Sequence, residues 1–190
     1  EGYSGEVIVT PAAEHEHIEN SRELVQFLNG HPRVTAISPR YGAQAQLLGT
    51  LDRLPKANEK PNQTGLYIEG YDPAQEEVVT RFSRFVKYGE PLNPGDRGYI
   101  LIGANMLKKY SSFADANVPG LEFLSDVDVG SRVRVSLGRT GNGGGRKDFI
   151  VKGIVKAKLD ELATRAFVVD EELKSLLPVS KEELHDIAIK

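Results

Sequence analysis

The chain lacks cysteine and tryptophan altogether and holds a single methionine among its 190 residues. Without cysteine it forms no disulfide, thiolate metal site or thiol nucleophile. The lack of cysteine does not distinguish an oxidising from a reducing compartment. Positive charge is not in excess, since 24 Lys and Arg against 27 Asp and Glu give a net charge of −3. This balance argues against a nucleic-acid-binding protein. No apolar run approaches the roughly 18 residues that span a bilayer.

Sequence motifs typical of catalytic, phosphate-binding or metal-binding sites are equally scarce. The serine-hydrolase pattern G-x-S-x-G is absent. Residues 138–147 (GRTGNGGGRK) are as glycine-rich as a phosphate loop, but a predicted strand follows them, and Lys147 precedes Asp148 where a phosphate loop has Ser or Thr. His15 and His17 stand two apart, so on a helix they point to different faces and do not share an ion. We therefore predict no catalytic residue, no cofactor and no metal site.

Residues 66–110 contain well-marked element boundaries instead. A β-prone run, residues 66–68, is predicted to stop at Gly70. Asp72 is a good N-cap and Pro73 suits the first helical position. The apolar stripe from Val78 to Val86 predicts a helix that ends near Gly89, and residues 99–102 form a second β run followed by a short helix, 104–110.

The rest of the chain alternates between strand and helix patterns. Strands are predicted at residues 6–10 and 34–38, with a helix at 13–28 between them, which favours a parallel pair with a right-handed crossover. Strict alternation at 131–137, followed by 147–155, predicts a hairpin. A late strand is predicted at 166–169, and a short helix capped by Asp170 at 171–177. A terminal β run follows at 187–189. The pattern predicts an α+β fold.

Five segments appear in an order that is more specific than any one of them: VTAISPRYGAQAQL, LYIEGYDPAQE, KYGEPLNPGDRGYILIGANMLKKY, DVDVGSRVRVSL and KDFIVKGIV. In this order they resemble the MacB-like periplasmic core domain. That is the extracytoplasmic domain of FtsX-like ABC transporter permeases, which include the macrolide exporter and the lipoprotein-releasing permeases. The resemblance covers about residues 6–177. The chain departs from the family pattern in the irregular stretch 111–126 and in the glycine-rich hairpin tip.

The resemblance implies a βαβ porter-like subdomain, residues 1–72 and 159–190, with an inserted, mostly β smaller subdomain, residues 73–158. It implies a non-catalytic domain that transmits ATP-driven motion of the membrane helices to an extracellular or periplasmic partner or cargo. The implied partners are a cytoplasmic ABC ATPase, reached through the full-length permease, and a second permease copy. The implied location is the extracytoplasmic face of the membrane, anchored by transmembrane helices that are absent from this chain.

Two groups of residues are candidate partner contacts. The basic hairpin tip, with Arg139, Arg146 and Lys147, is either a mobile turn or a site that docks an acidic surface or lipid headgroups. The apolar side chains Phe113, Leu121 and Phe123 form either an exposed contact surface or a satellite core. The alternative function is a stand-alone extracytoplasmic module that binds a ligand in a groove between the two subdomains. A hydrolase built on Asp160 or Asp170 is a third hypothesis.

Overall fold

The computed structural model describes residues 7–15, 17–49, 51, 60–111, 114, 122–138, 145–158, 160–177 and 184–190. The predicted α+β fold is confirmed, because a large mixed sheet carries short helices. The strands are β1 Val7–Val9, β2 Ile37–Leu48, β3 Gln63–Tyr71, β4 Val86–Gly89, β5 Tyr99–Gly103, β6 Arg132–Leu137, β7 Arg146–Val155, β8 Arg165–Val169 and β9 Asp186–Ile189. The helices are α1 Ser21–Gly30, α2 Pro73–Thr80, α3 Asp160–Ala163 and α4 Asp170–Leu176, with 3₁₀ turns at Phe82–Phe85 and Ala104–Met106.

Six strands pair around a closed ring in the order β2, β3, β8, β5, β7, β6 and back to β2. The pairs β3–β8 and β5–β7 are parallel, and the other four are antiparallel. The long strand β2 makes the closure possible, because its second half pairs with β6 while its first half pairs with β9. Closure removes open edges from the ring.

The inside of the ring is filled by alternate residues of its strands, as a small closed barrel requires. On β6 the predicted alternation is confirmed, since Val133, Val135 and Leu137 are buried while their neighbours reach solvent to a greater extent. The other strands contribute buried apolar residues in the same way: Ala45, Leu47, Leu66, Ile68, Ile100, Ile102, Phe149, Val151, Ala166 and Val168.

Helix α4 packs closely on the ring, and Leu173 and Leu176 join its core. A Cβ atom on Gly70 would lie 2.9 Å from Cβ of Leu173 and 3.1 Å from Cα of Asp170. The glycine therefore allows α4 to approach β3, rather than ending the strand as predicted. Strand β3 continues to Tyr71.

Outside the ring, β9 lies between β1 and β2 and is antiparallel to both. The direct parallel pairing of the first two strands was therefore wrong, although they run in the same direction. The helix between them begins at Ser21 and not at residue 13. Before it, Ile18 is buried and its amide donates to the carbonyl of Leu184 at 2.8 Å, and Asn20 adopts a left-handed conformation with φ 51°. This stretch therefore contacts the segment that leads into β9.

Helix α2 begins as predicted but ends earlier. Oδ1 of Asp72 accepts hydrogen bonds from the amides of Ala74 at 2.8 Å and Gln75 at 3.4 Å. The helix ends where Arg81 adopts φ 55°, and a 3₁₀ turn then directs Phe82 into the interior. Gly89 is indeed left-handed, with φ 73°, but it ends a strand.

Two smaller corrections concern later elements. Asp170 is the first residue of α4 rather than its cap, and its carboxylate accepts from Nζ of Lys174 at 2.6 Å. The predicted short helix at 104–110 is a 3₁₀ turn, after which Leu107 forms an isolated bridge with Leu124.

The ring draws β2, β3 and β8 from residues assigned to the porter-like subdomain, and β5, β6 and β7 from the predicted insertion. The boundaries at residues 72–73 and 158–159 stay a prediction. Among the described residues, no helix combines the length and the apolar character needed to cross a bilayer.

Candidate functional site

A row of alternating charges crosses four neighbouring strands on the outer side of the ring. Asp186 of β9 is directly opposite Arg40 of β2, and Nη1 of Arg40 lies 3.4 Å from Oδ1 of Asp186. Nε of Arg40 lies 3.5 Å from Oε1 of Glu69 on β3. Glu69 in turn accepts from Nη1 of Arg165 on β8 at 2.9 Å. The row therefore joins β9 to the barrel.

Glu76 of α2 adds a third carboxylate to this row. It accepts from Nε and Nη2 of Arg40 at 3.1 and 2.8 Å, and from the hydroxyls of Ser38 and Thr80 at 2.6 Å each. The side chains of Arg40, Glu69 and Glu76 are at most 1% exposed. We call Asp186, Arg40, Glu69, Arg165 and Glu76 the buried charge cluster. It fixes α2 and β9 on the same strand, β2.

The charges in this cluster do not balance, because three carboxylates face two guanidinium groups. Burial, followed by the neighbouring Glu69, raises the pKa of Asp186 to about 7, although Arg40 and Arg165 oppose the shift. Burial also raises the pKa of the adjacent Tyr71 phenol well above its usual value. Buried ion pairs of this kind commonly set register rather than add net stability.

Two apolar grooves flank α2. The first, of about 500 Å³, lies between α1 and α2 and is lined by Val25, Asn29, Ala36, Ile37, Pro39, Ala74, Gln75 and Val78. The second, of about 430 Å³, lies on the other side of α2 and includes Phe82, Pro91, Leu92 and Pro94. Val78 borders both grooves and is 53% exposed. Together the grooves give α2 an apolar surface on both of its sides.

A polar cluster lies elsewhere, at the turn before β6. The carboxylate of Asp128 accepts from Nζ of Lys109 and from the hydroxyl of Tyr110. These two hydrogen bonds, that from Lys109 being the stronger, hold the pKa of Asp128 at about 2. The group is ionised at any physiological pH, so it fixes the turn and supplies no acid or base. Among the described residues, no group of three or more His, Asp or Glu is arranged to hold a metal ion.

No protein-family model and no curated protein matches the chain. Several solved structures match it. The extracellular domain of the noncanonic ABC-type transporter YknZ from Gram-positive bacteria is similar with a TM-score of 0.55 and 14% identity, over 96% of this chain and 81% of that one. The periplasmic region of MacB from Actinobacillus actinomycetemcomitans is similar with a TM-score of 0.57 and 14% identity, over 96% and 72%.

The chain shares the fold of these two domains. The resemblance deduced from five short segments is confirmed at the level of fold, over nearly the whole chain. At 14% identity the similarity concerns the architecture, and both neighbours are extracytoplasmic domains of ABC-type transporters.

Three of the six candidate contact residues belong to the described part of the chain. Arg146 begins β7 and is exposed. Lys147 is half-buried and its ammonium pairs with Glu172 of α4. Phe123 is half-buried, next to the bridged Leu124. Arg139, Phe113 and Leu121 lie outside the described residues, so a common contact surface stays a prediction.

The sequence predictions missed the buried charge cluster entirely. The members that contact Arg40 lie 29 to 146 residues away from it in the chain, so no local spacing indicates the cluster. A weaker signal was present, because Glu69 interrupts the β run LYIEGY and Asp186 begins the apolar run DIAI. A charged residue inside a buried strand needs an opposite charge.

Proposed function

We propose that the chain is the extracytoplasmic domain of an ABC transporter permease. In this role it transmits ATP-driven movement of the membrane helices to a partner or cargo outside the cytoplasm. The observation that supports the proposal is the fold shared with YknZ and MacB domains over 96% of the chain. The full-length permease then pairs with a cytoplasmic ATPase and a second permease copy. The domain itself is non-catalytic, binds its partner and changes no covalent bond.

The construction of the domain suits this role. A closed ring resists shear because each of its strands is paired on both sides, and the buried charge cluster ties α2 and β9 to one ring strand. The proposed partner contacts are the basic tip with Arg139, Arg146 and Lys147, and the apolar residues Phe113, Leu121 and Phe123. The proposed boundaries of the porter-like and inserted parts stay as predicted from the sequence.

The absence of cysteine allows a direct test of topology. In a full-length permease without other cysteines, a Val129→Cys variant is expected to react with a membrane-impermeant maleimide on intact cells, since Val129 is 40% exposed. The matched control is Leu47→Cys, which is fully buried and should react only after unfolding. Labelling of Val129→Cys only after the membrane is permeabilised would place the domain in the cytoplasm and refute the proposal.

The same variant tests transmission. Spin labels on Val129→Cys in the paired permease are expected to report a distance that differs between the nucleotide-free and the ATP-bound transporter. Identical distance distributions in the two states would show a domain that does not move with ATP, and would overturn transmission while leaving the topology result intact.

The grooves beside α2 favour a second candidate function, capture of an apolar ligand, since their volumes are within the range of small-molecule sites. Capture predicts that a long-chain fatty acid, used as the probe, binds saturably and raises Tm. Val78→Lys should then abolish the shift, because it places a charge between both grooves. The control Val129→Lys, also exposed, should keep it. A Tm that does not respond to the probe contradicts this candidate.

A further inference from the structure

The carboxylates of the buried charge cluster are stabilised to different extents. Glu76 accepts four hydrogen bonds, none longer than 3.1 Å. Glu69 accepts from Arg165 at 2.9 Å. Asp186 is held at 3.4 Å by Nη1 of Arg40, whereas Glu69 and Glu76 each have a donor at 2.9 Å or closer. A buried carboxylate without strong donors favours its neutral form, and Asp186 is the member of the cluster that fits this description.

We propose that the buried charge cluster is a proton-binding site, with the proton on Asp186, and that loss of this proton loosens β9 from β2. Asp186 is the first residue of β9 and is directly opposite Arg40 in the register of that pair. When it ionises, the cluster holds three negative and two positive charges inside the protein. The repulsion is then concentrated at the start of a four-residue strand.

Among the described residues, charged groups face Asp186 from four elements. Arg40 comes from β2, Glu69 from β3, Glu76 from α2 and Arg165 from β8, and the Tyr71 phenol of β3 faces Glu76, Glu69 and Arg40. Immediately before β9, the ring of His185 lies 5.0 Å from the ring of Tyr67, and its backbone amide donates to the carbonyl of Arg40 at 2.8 Å. The negative neighbours and burial together exceed the effect of the two arginines, so the pKa of Asp186 rises to about 7.

The direction of the pH effect follows from the raised pKa. A carboxyl group that binds its proton more tightly in the folded state stabilises the fold fully below its unfolded pKa of about 4. This contribution is lost as the pH rises from there through about 7. The domain should therefore be more stable at pH 5 than at pH 8 as far as this one group is concerned.

The site can be tested on the 190-residue chain by following the side-chain carboxyl carbon of Asp186 with 13C NMR across pH 4 to 9. The expected midpoint is near pH 7, in place of the usual value of about 4. A midpoint below pH 5 would overturn the proposal. This measurement uses the wild-type chain, so it holds even if a variant fails to fold.

Urea unfolding of Asp186→Asn provides the second test, since asparagine keeps the shape of the neutral acid. Between pH 5 and pH 8 the unfolding equilibrium constant of the wild type should rise about a hundredfold more than that of the variant. Equal pH dependence of the two proteins refutes the proposal. His185→Gln is the control for the neighbouring histidine, and it should keep the wild-type difference. Loss of the difference in that control would assign the effect to His185 instead.

Hydrogen exchange tests the link to β9. After correction for intrinsic rates, the amides of Ile187 and Ala188 should lose protection above pH 7, while those of Val133 and Val135 in β6 should not. In Asp186→Asn the two strands should behave alike across this range. Protection of β9 that is independent of pH in the wild type would overturn the coupling.

Discussion

Replacement of Arg40 by methionine is expected to lower the free energy of unfolding by about 3–5 kcal/mol at neutral pH. Methionine keeps much of the length of the side chain but removes the charge that faces three carboxylates. Glu76 then loses two of its four donors, and Glu69 and Asp186 lose their contacts with Arg40. Uncompensated charges remain in a site where the arginine side chain was only 1% exposed.

The measurement is urea unfolding at pH 7, with Arg97→Met as the matched control. Arg97 also forms an ion pair, with Glu171, but both side chains are more than half exposed, and surface pairs of this kind contribute about 0–1 kcal/mol. The double variant Arg40→Met, Glu76→Gln should recover part of the loss, because it removes one of the buried negative charges. A loss for Arg40→Met no larger than that for Arg97→Met would contradict the role given to the cluster.

The buried charge cluster fixes the positions of α2 and β9 relative to β2. Without it, α2 and β9 would be held mainly by apolar contacts and by the short ladders of β9 with β1 and β2. Apolar contacts are not directional, so they permit sliding, whereas a guanidinium held by several carboxylates permits one register. A fixed register between these elements suits a domain that is proposed to transmit movement.

Local sequence signals predicted the local parts of this fold well. The cap at Asp72 and the alternation of Val133, Val135 and Leu137 depend on residues within a few positions of one another, and both are confirmed. The end of α2 was missed because Arg81, a good helix former, takes a left-handed conformation immediately before the buried Phe82. Tertiary packing determined the backbone at that point.

Local sequence signals did not predict the strand pairings between distant parts of the chain. Nothing local indicates that β9 lies between β1 and β2, because the partners Val7 and Ile189 are at opposite ends of the chain. The closed ring depends in the same way on the pairing of β2 with β6, about 90 residues later. The resemblance to a known domain gave the fold because it carried this topological information, which spacing and periodicity do not contain.

The second large effect is expected at Phe167, in an aromatic cluster outside the ring. Its ring is fully buried and meets Phe82 edge-on with centroids 4.9 Å apart, and Tyr71 lies 6.3 Å away. Since Ala166 and Val168 face the inside of the ring, β8 is buried on both faces. Phe167→Ala should lower the free energy of unfolding by about 3–5 kcal/mol, because a cavity remains where neighbours on three elements converge.

The comparison is with Phe27→Ala on α1, which removes the same atoms from a side chain that is 65% exposed. That variant should change the free energy of unfolding by about 0.5 kcal/mol or less. Phe167→Leu should lie between the two, since it refills part of the space without the edge-on contact. Equal losses for Phe27→Ala and Phe167→Ala in urea unfolding would show that β8 does not carry the packing between the ring and α2. A large loss confined to Phe167→Ala would show that the aromatic cluster packs β8 against the 3₁₀ turn that follows α2.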